Sequence, residues 1–127
     1  MNLERVTFGF FLILALSLNV AFVAGAIDNV SHHNVWVLTI AILVSLIATG
    51  LKLGDRSHLG AILLSSSLVA DLLLIAARVV WIVSEDEPGT MVTSGTIEAV
   101  VSLAIGALVA NVVSVVVMIG DTLMSRR

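Results

Sequence analysis

Residues 59–83 read LGAILLSSSLVADLLLIAARVVWIV, an apolar run of 25 residues with an acid, Asp71, at its middle and a base, Arg78, two turns later. A helix of that length is about 37 Å long at 1.5 Å per residue. That is enough to cross a bilayer hydrocarbon core of about 30 Å with some tilt. An acid at the centre of such a span costs about 2.5–3.5 kcal/mol on insertion scales. A carboxyl persists there only when protein, water or a counter-charge shelters it, so this segment is the candidate functional span.

Three more apolar runs flank it, at about Val6–Ile27, Val35–Leu53 and Thr96–Ile119. The chain has 127 residues, 59% of them hydrophobic, and only 12% charged. That charged share is about half the usual soluble value. Mean hydropathy is +1.16. These values predict one all-α membrane domain over residues 1–127, a four-helix transmembrane bundle with spans at about 6–27, 35–53, 59–83 and 96–119. The first span imitates a secretory signal in its Arg5 start and Ala24-Gly25-Ala26 ending. Its apolar part is longer than a signal's, and Glu4 offsets Arg5, so a retained span is expected. Short loops between spans predict up-down-up-down antiparallel neighbours. Gly54 is placed to close the second helix, and Asp55 or Ser57 to cap the third. Pro88-Gly89 marks the turn of the longest loop. Glu98 is expected in the first turn of the fourth helix, where negative charge is favoured, and Gly120 at its end.

Orientation follows from six basic residues. Arg5, Lys52, Arg56, Arg126 and Arg127 fall on one side of the four-span arrangement, and Arg78 lies within a span. The opposite side carries Asp28, Glu85, Asp86 and Glu87. The positive-inside rule then puts both termini in the cytoplasm, and Trp36 and Trp81 at the outer boundary. The bias is too strong for a dual-topology protein.

Small residues recur at four-residue spacing on three spans. They are Ser102, Gly106, Ala110 and Ser114 on the fourth, Ala41, Ser45 and Thr49 on the second, and Ser17, Ala21 and Gly25 on the first. Such stripes let helix backbones approach closely in lipid, within one chain or between subunits. The fourth span's stripe is the prime candidate for docking a second subunit or a partner. Asn19 and Asn111 fall near mid-membrane, where each needs a hydrogen-bond partner on a neighbouring helix.

On the third span Ser67, Asp71, Arg78 and Glu85 lie within about 40° of one another at 100° per residue. This is one polar line from mid-membrane to the outer surface. Helical side chains lean toward the N-terminus, so Arg78 leans toward Asp71. Three roles remain open for this line. One is a buried ion pair that fixes helix rotation. Another is a cation or proton site, since intramembrane ionisable groups mark ion pathways. The third is docking to a charge on another protein's span.

Elsewhere the chemistry is sparse. His32 and His33, near Asp28 and opposite the Glu85-Asp86-Glu87 loop, could hold a divalent cation or sense external pH. Adjacent histidines point to different sides, and a solvated loop is the plainer reading. His58, beside Asp55 and Arg56, belongs to the other membrane face. The absence of cysteine excludes disulfides and thiolate sites. No nucleophile–base pair, metal-ligand triad or basic cluster points to an enzyme, a metal, a cofactor or nucleic acid. The first span has no acid of the kind small multidrug exporters use. The fourth lacks the spaced arginines of a voltage sensor, no TVGYG potassium filter is present, and the glycine-rich N-terminal motif of small fluoride channels is missing.

The opening MNLERVTFGFF, the IDN…HHNVW loop, LKLGDRSHLGA and SLVADLLLIAA together resemble a family of short bacterial integral membrane proteins of uncharacterised function. The resemblance covers about residues 1–80 and implies a bacterial inner membrane and four spans. It implies no activity and no site. From the residues themselves, the first expectation is a non-enzymatic membrane subunit. It would self-associate, or dock onto a larger membrane transport complex such as a cation channel, through its small-residue faces and the Asp71–Arg78 charges. The alternative is a small stand-alone proton or cation conduit using Asp71.

Overall fold

The computed structural model describes residues 3–24, 35–53, 58–84 and 93–125. They form four helices: α1 (Leu3–Val23), α2 (Val35–Lys52), α3 (His58–Ser84) and α4 (Ser94–Ser125). Each is long and apolar enough to span a bilayer. Only 28% to 33% of the residues in each apolar window are buried within the chain. Leu43, Leu68, Leu72, Val109 and Val116 are among the large apolar side chains left outside. An apolar surface of that extent is untenable in water and natural in lipid, so the chain is a multi-pass membrane protein.

The helices pack as a closed ring, each against its neighbours in the order α1, α2, α3, α4 and back to α1. Lys52 at the end of α2 sits over Phe8 near the start of α1, with Nζ 4.4 Å from the ring centroid. Arg5 on α1 meets Asp121 on α4 at 3.5 Å. On the α3–α4 seam Ser66 contacts Ser114, and Gly106 lies against Leu73. These pairings make every adjacent pair of helices antiparallel, the expected up-down-up-down bundle. The start of α1, the end of α2 and the end of α4 share one end, called here the terminal end.

Two apolar clusters fill the interior. At the terminal end Phe8, Leu12, Ala48 and Leu63 pack together. Toward the far end Phe22, Leu38, Leu74, Trp81, Ile97, Val100 and Val101 pack with a set of alanines on α3 and α4. The tightest approach is at Gly106, where an added Cβ would meet Leu73 Cδ1 at 3.1 Å. Glycine there lets the α3 and α4 backbones close on one another.

Several boundaries differ from expectation. α4 begins at Ser94 because Thr93 caps it: Thr93 Oγ1 accepts the Thr96 backbone N–H at 3.2 Å. Glu98 therefore lies beyond the first turn. Gly120 does not stop α4. The helix continues through Gly120 to Ser125, with Thr122 Oγ1 donating to the Met118 carbonyl at 2.9 Å. A single glycine lowers helix propensity by only about 1 kcal/mol, too little to end a helix supported on both sides. The expected caps at Gly54, Asp55 and Ser57 lie outside the described residues.

Candidate functional site

The buried polar residues among those described are Asn19, Ser45, Thr49, Ser67, Asp71, Asn111 and Ser114. They sit in the middle of the bundle, between the two apolar clusters. The helices contribute them by simple spacing. Ser45 and Thr49 are one turn apart on α2, as are Ser67 and Asp71 on α3, so each pair shares a face.

Asp71 is the centre of this layer and is 4% exposed. Ser45 Oγ donates to its Oδ1 at 2.5 Å, and Thr49 Oγ1 approaches its Oδ2 at 2.5 Å. Thr49 Oγ1 also lies 3.0 Å from the carbonyl of Ser45. A carboxyl with one hydroxyl on each oxygen is well sheltered without a counter-ion. That arrangement ties α3 to α2 at mid-membrane depth.

Arg78 is not its partner. Among the described residues Arg5 and Asp121 form an ion pair, whereas Asp71 is held by hydroxyls. Arg78 is half-buried, and its Nη1 is buried with no hydrogen-bond partner. The expected lean of Arg78 toward Asp71 must cover about 10 Å of helix rise. Two hydroxyls on the adjacent helix are nearer and complete the carboxyl first. Ser67, one turn to the other side of Asp71, has its Oγ buried and also without a partner. Asp71 is thus flanked on its own helix by two unsatisfied buried polar groups. Glu85, the outer end of the expected line, lies outside the described residues, as do His32, His33, Asp28, Asp86 and Glu87.

The two asparagines are inside, as expected of groups needing shelter. With its amide oriented to suit its neighbours, Asn19 donates to the Ala104 carbonyl at 3.1 Å and accepts the Leu108 N–H at 3.0 Å. It clips α1 to the α4 backbone. Asn111 is buried on α4. Ser114 pairs with Ser66, which also reaches the Ile62 and Leu63 carbonyls at 3.1 Å.

The small-residue stripes divide. Ala41, Ser45 and Thr49 face the interior. On α4, Ala110 and Ser114 are buried and Gly106 packs on Leu73, so most of that stripe is used within the chain. Ser102 is exposed instead. On α1, Ser17 and Ala21 face outward rather than into the bundle, and Ser17 satisfies its hydroxyl on the Ile13 carbonyl at 2.9 Å. Gly25 lies outside the described residues. Of the two tryptophans, Trp36 is on the surface, whereas Trp81 is packed in the far-end core rather than at a lipid boundary.

Two features go beyond the reading of the sequence. The Ser45–Thr49 clamp on Asp71 was legible only as part of a small-residue stripe; hydroxyls one turn apart at mid-span, opposite an acid, were the clue. The second is a cavity of about 1110 Å³ at the terminal end. Arg5, Lys52 and Asp121 lie on its rim, and Phe8, Leu63 and Met118 on its apolar wall. Leu63 is two turns from Asp71 along α3, with Ser67 between them. A shallower groove of about 410 Å³ on the outer side of α3 runs past Ser65 and Val69. No group of three or more His, Asp or Glu side chains suited to a metal is present among the described residues.

A sequence model for a family described as a family of unknown function, DUF6394, matches residues 32–122, and the chain belongs to that family. The match begins three residues before α2 and takes in all of α2 and α3 and nearly all of α4. It runs well past residue 80, where the resemblance noted in the sequence stops, and leaves out α1. No curated protein and no solved structure matches the chain.

Proposed function

We propose that this four-span member of an uncharacterised family is a non-enzymatic membrane protein that binds a small cation, a proton or an alkali ion, at Asp71 and moves it across part or all of the bilayer. The observation that carries this reading is the placement of Asp71. It is a lone acid at mid-span, facing the bundle interior and held by Ser45 and Thr49 rather than by a counter-charge. Intramembrane acids turned toward a bundle interior mark ion pathways and proton relays. The unpartnered Ser67 and the terminal-end cavity below it supply a direction from which the site could be reached. The sequence resemblance supports a bacterial inner membrane, and the distribution of lysine and arginine supports both termini, and hence that cavity, on the cytoplasmic side. Flux into liposomes carrying wild type or Asp71→Asn tests the reading. Cation movement in the wild type that is lost in the variant supports it; equal movement in both, or none in either, sinks it.

One observation favours a second reading, a subunit that self-associates or docks onto a larger membrane transport complex. Ser17 and Ala21 present small side chains outward on α1, a face suited to close helix approach. Cross-linking through a cysteine placed at Ala21 in native membranes checks it. A product of dimer mass, or one joined to a second membrane protein, supports docking, and an uncross-linked monomer removes it.

A further inference from the structure

We infer that the Asp71 site is built to take a proton rather than a metal cation, with Thr49 as the hydroxyl that turns between the two states. The inference rests on the reading of Asp71 as the cation site and names its ion. It starts from counting hydrogens. Three polar contacts meet here: Ser45 Oγ with Asp71 Oδ1, Thr49 Oγ1 with Asp71 Oδ2, and Thr49 Oγ1 with the Ser45 carbonyl. A hydroxyl has one hydrogen to donate, and an ionised carboxylate has none. With Asp71 ionised, Ser45 and Thr49 each donate to one oxygen, and the third contact is left without a hydrogen. With Asp71 protonated on Oδ2, the new O–H donates to Thr49 Oγ1. Thr49 then turns its hydrogen to the Ser45 carbonyl, and Ser45 still donates to Oδ1. All three contacts are then filled.

Both states are therefore hydrogen-bonded with every heavy atom where it stands. Loading forms one O–H bond on Oδ2 and rotates one hydroxyl; unloading reverses both. A metal cation asks for something different. Hard cations take a shell of several oxygens arranged around the ion. Here the carboxyl oxygens are already closed against two hydroxyls at 2.5 Å. Neither of the two cavities described above is lined by Asp71.

No charged side chain among the described residues pairs with Asp71. α2 faces Asp71 with Ser45 and Thr49. The charged residues described on the other helices, Glu4 and Arg5 on α1, Lys52 on α2, Glu98 and Asp121 on α4, all lie toward helix ends. Arg78, two turns along α3, is the nearest charge in sequence and does not pair with the carboxyl. Ser67, one turn toward the terminal-end cavity, keeps a buried hydroxyl without a partner.

Infrared difference spectroscopy of the reconstituted protein between acid and alkaline pH tests the assignment without requiring transport. The expected result is a protonated-carboxyl C=O band that appears on acidification and is missing in Asp71→Asn. Thr49→Val should shift that band, and Thr49→Ser should restore it to the wild-type position. The Thr49 variants keep the test decisive if Asp71→Asn does not fold. A spectrum with no Asp71 band responding to pH overturns the inference. So does a carboxylate band that responds to added sodium at constant pH. If alkali-ion flux is lost in Asp71→Asn while the wild-type carboxyl never titrates, Asp71 remains the cation site and the proton assignment fails alone.

Discussion

Thr49 of α2 reaches Oδ2 of Asp71 at 2.5 Å, while Arg78, on the same helix as Asp71, keeps a buried Nη1 without a partner. The acid in the middle of this membrane bundle is sheltered by a neighbouring helix and not by the base in its own. α2 and α3 are therefore joined by polar contacts at a depth where lipid offers no alternative partner. The cost of breaking those contacts falls on the hydroxyls that make them.

The buried hydroxyls around Asp71 are predicted to respond to removal in opposite ways. Thr49→Val and Ser45→Ala each leave a buried carboxyl oxygen without its partner. Each should destabilise by about 1–3 kcal/mol, the usual cost of an unsatisfied buried acceptor. Ser67→Ala removes a hydroxyl that is itself unsatisfied. It should be neutral or stabilising by up to about 1 kcal/mol. Unfolding in a mixed-micelle denaturant titration measures all three, and a Ser67→Ala loss as large as that of Thr49→Val contradicts the arrangement.

The α3–α4 seam is predicted to tolerate one carbon at Gly106 and no more. The neighbour at 3.1 Å is the tip of Leu73, a flexible group that can yield a few tenths of an ångström. Against that small strain, alanine gains about 0.5–1 kcal/mol of helix preference over glycine. Gly106→Ala should therefore change stability little. Gly106→Leu overpacks the seam and should cost about 1–3 kcal/mol, with a rise in exposed-core dye binding. Equal stability of the two variants would show that the helices are not in close contact there.

Residues at the two ends are predicted to be labelled from opposite sides of the membrane. The wild-type chain has no cysteine, so single replacements report cleanly. Leu3→Cys and Met124→Cys lie at the terminal end, and Trp36→Cys lies at the other; all three positions are exposed. An impermeant thiol reagent added to intact cells should modify Trp36→Cys alone. Modification of Leu3→Cys from outside reverses the orientation, and modification of only one of Leu3→Cys and Met124→Cys breaks the four-span topology.

The number and order of the helices were legible in the sequence. Four apolar runs of spanning length admit few other solutions, because a backbone in lipid must satisfy its hydrogen bonds within each helix. The same reasoning picked out Asp71, Asn19 and Asn111 as interior groups, since each is too polar for a lipid-facing position. The end of α4 was misread because glycine is a weak stop signal inside a long apolar helix. The cavity at the terminal end left no trace, being made from the ends of helices distant in sequence.

What the sequence by itself determined was where the chain crosses the membrane and which side chains must turn inward. What the tertiary structure alone decided was which helix each inward group faces, and so its partner. The physical reason is that a lipid-facing side and a protein-facing side are both apolar, so a spacing of small side chains does not tell on which side it lies. A four-residue spacing of small side chains faces Asp71 on α2, at Ser45 and Thr49, and faces outward on α1, at Ser17 and Ala21. Only packing in three dimensions separates those two outcomes, and it is that packing which gave Asp71 its hydroxyls in place of Arg78.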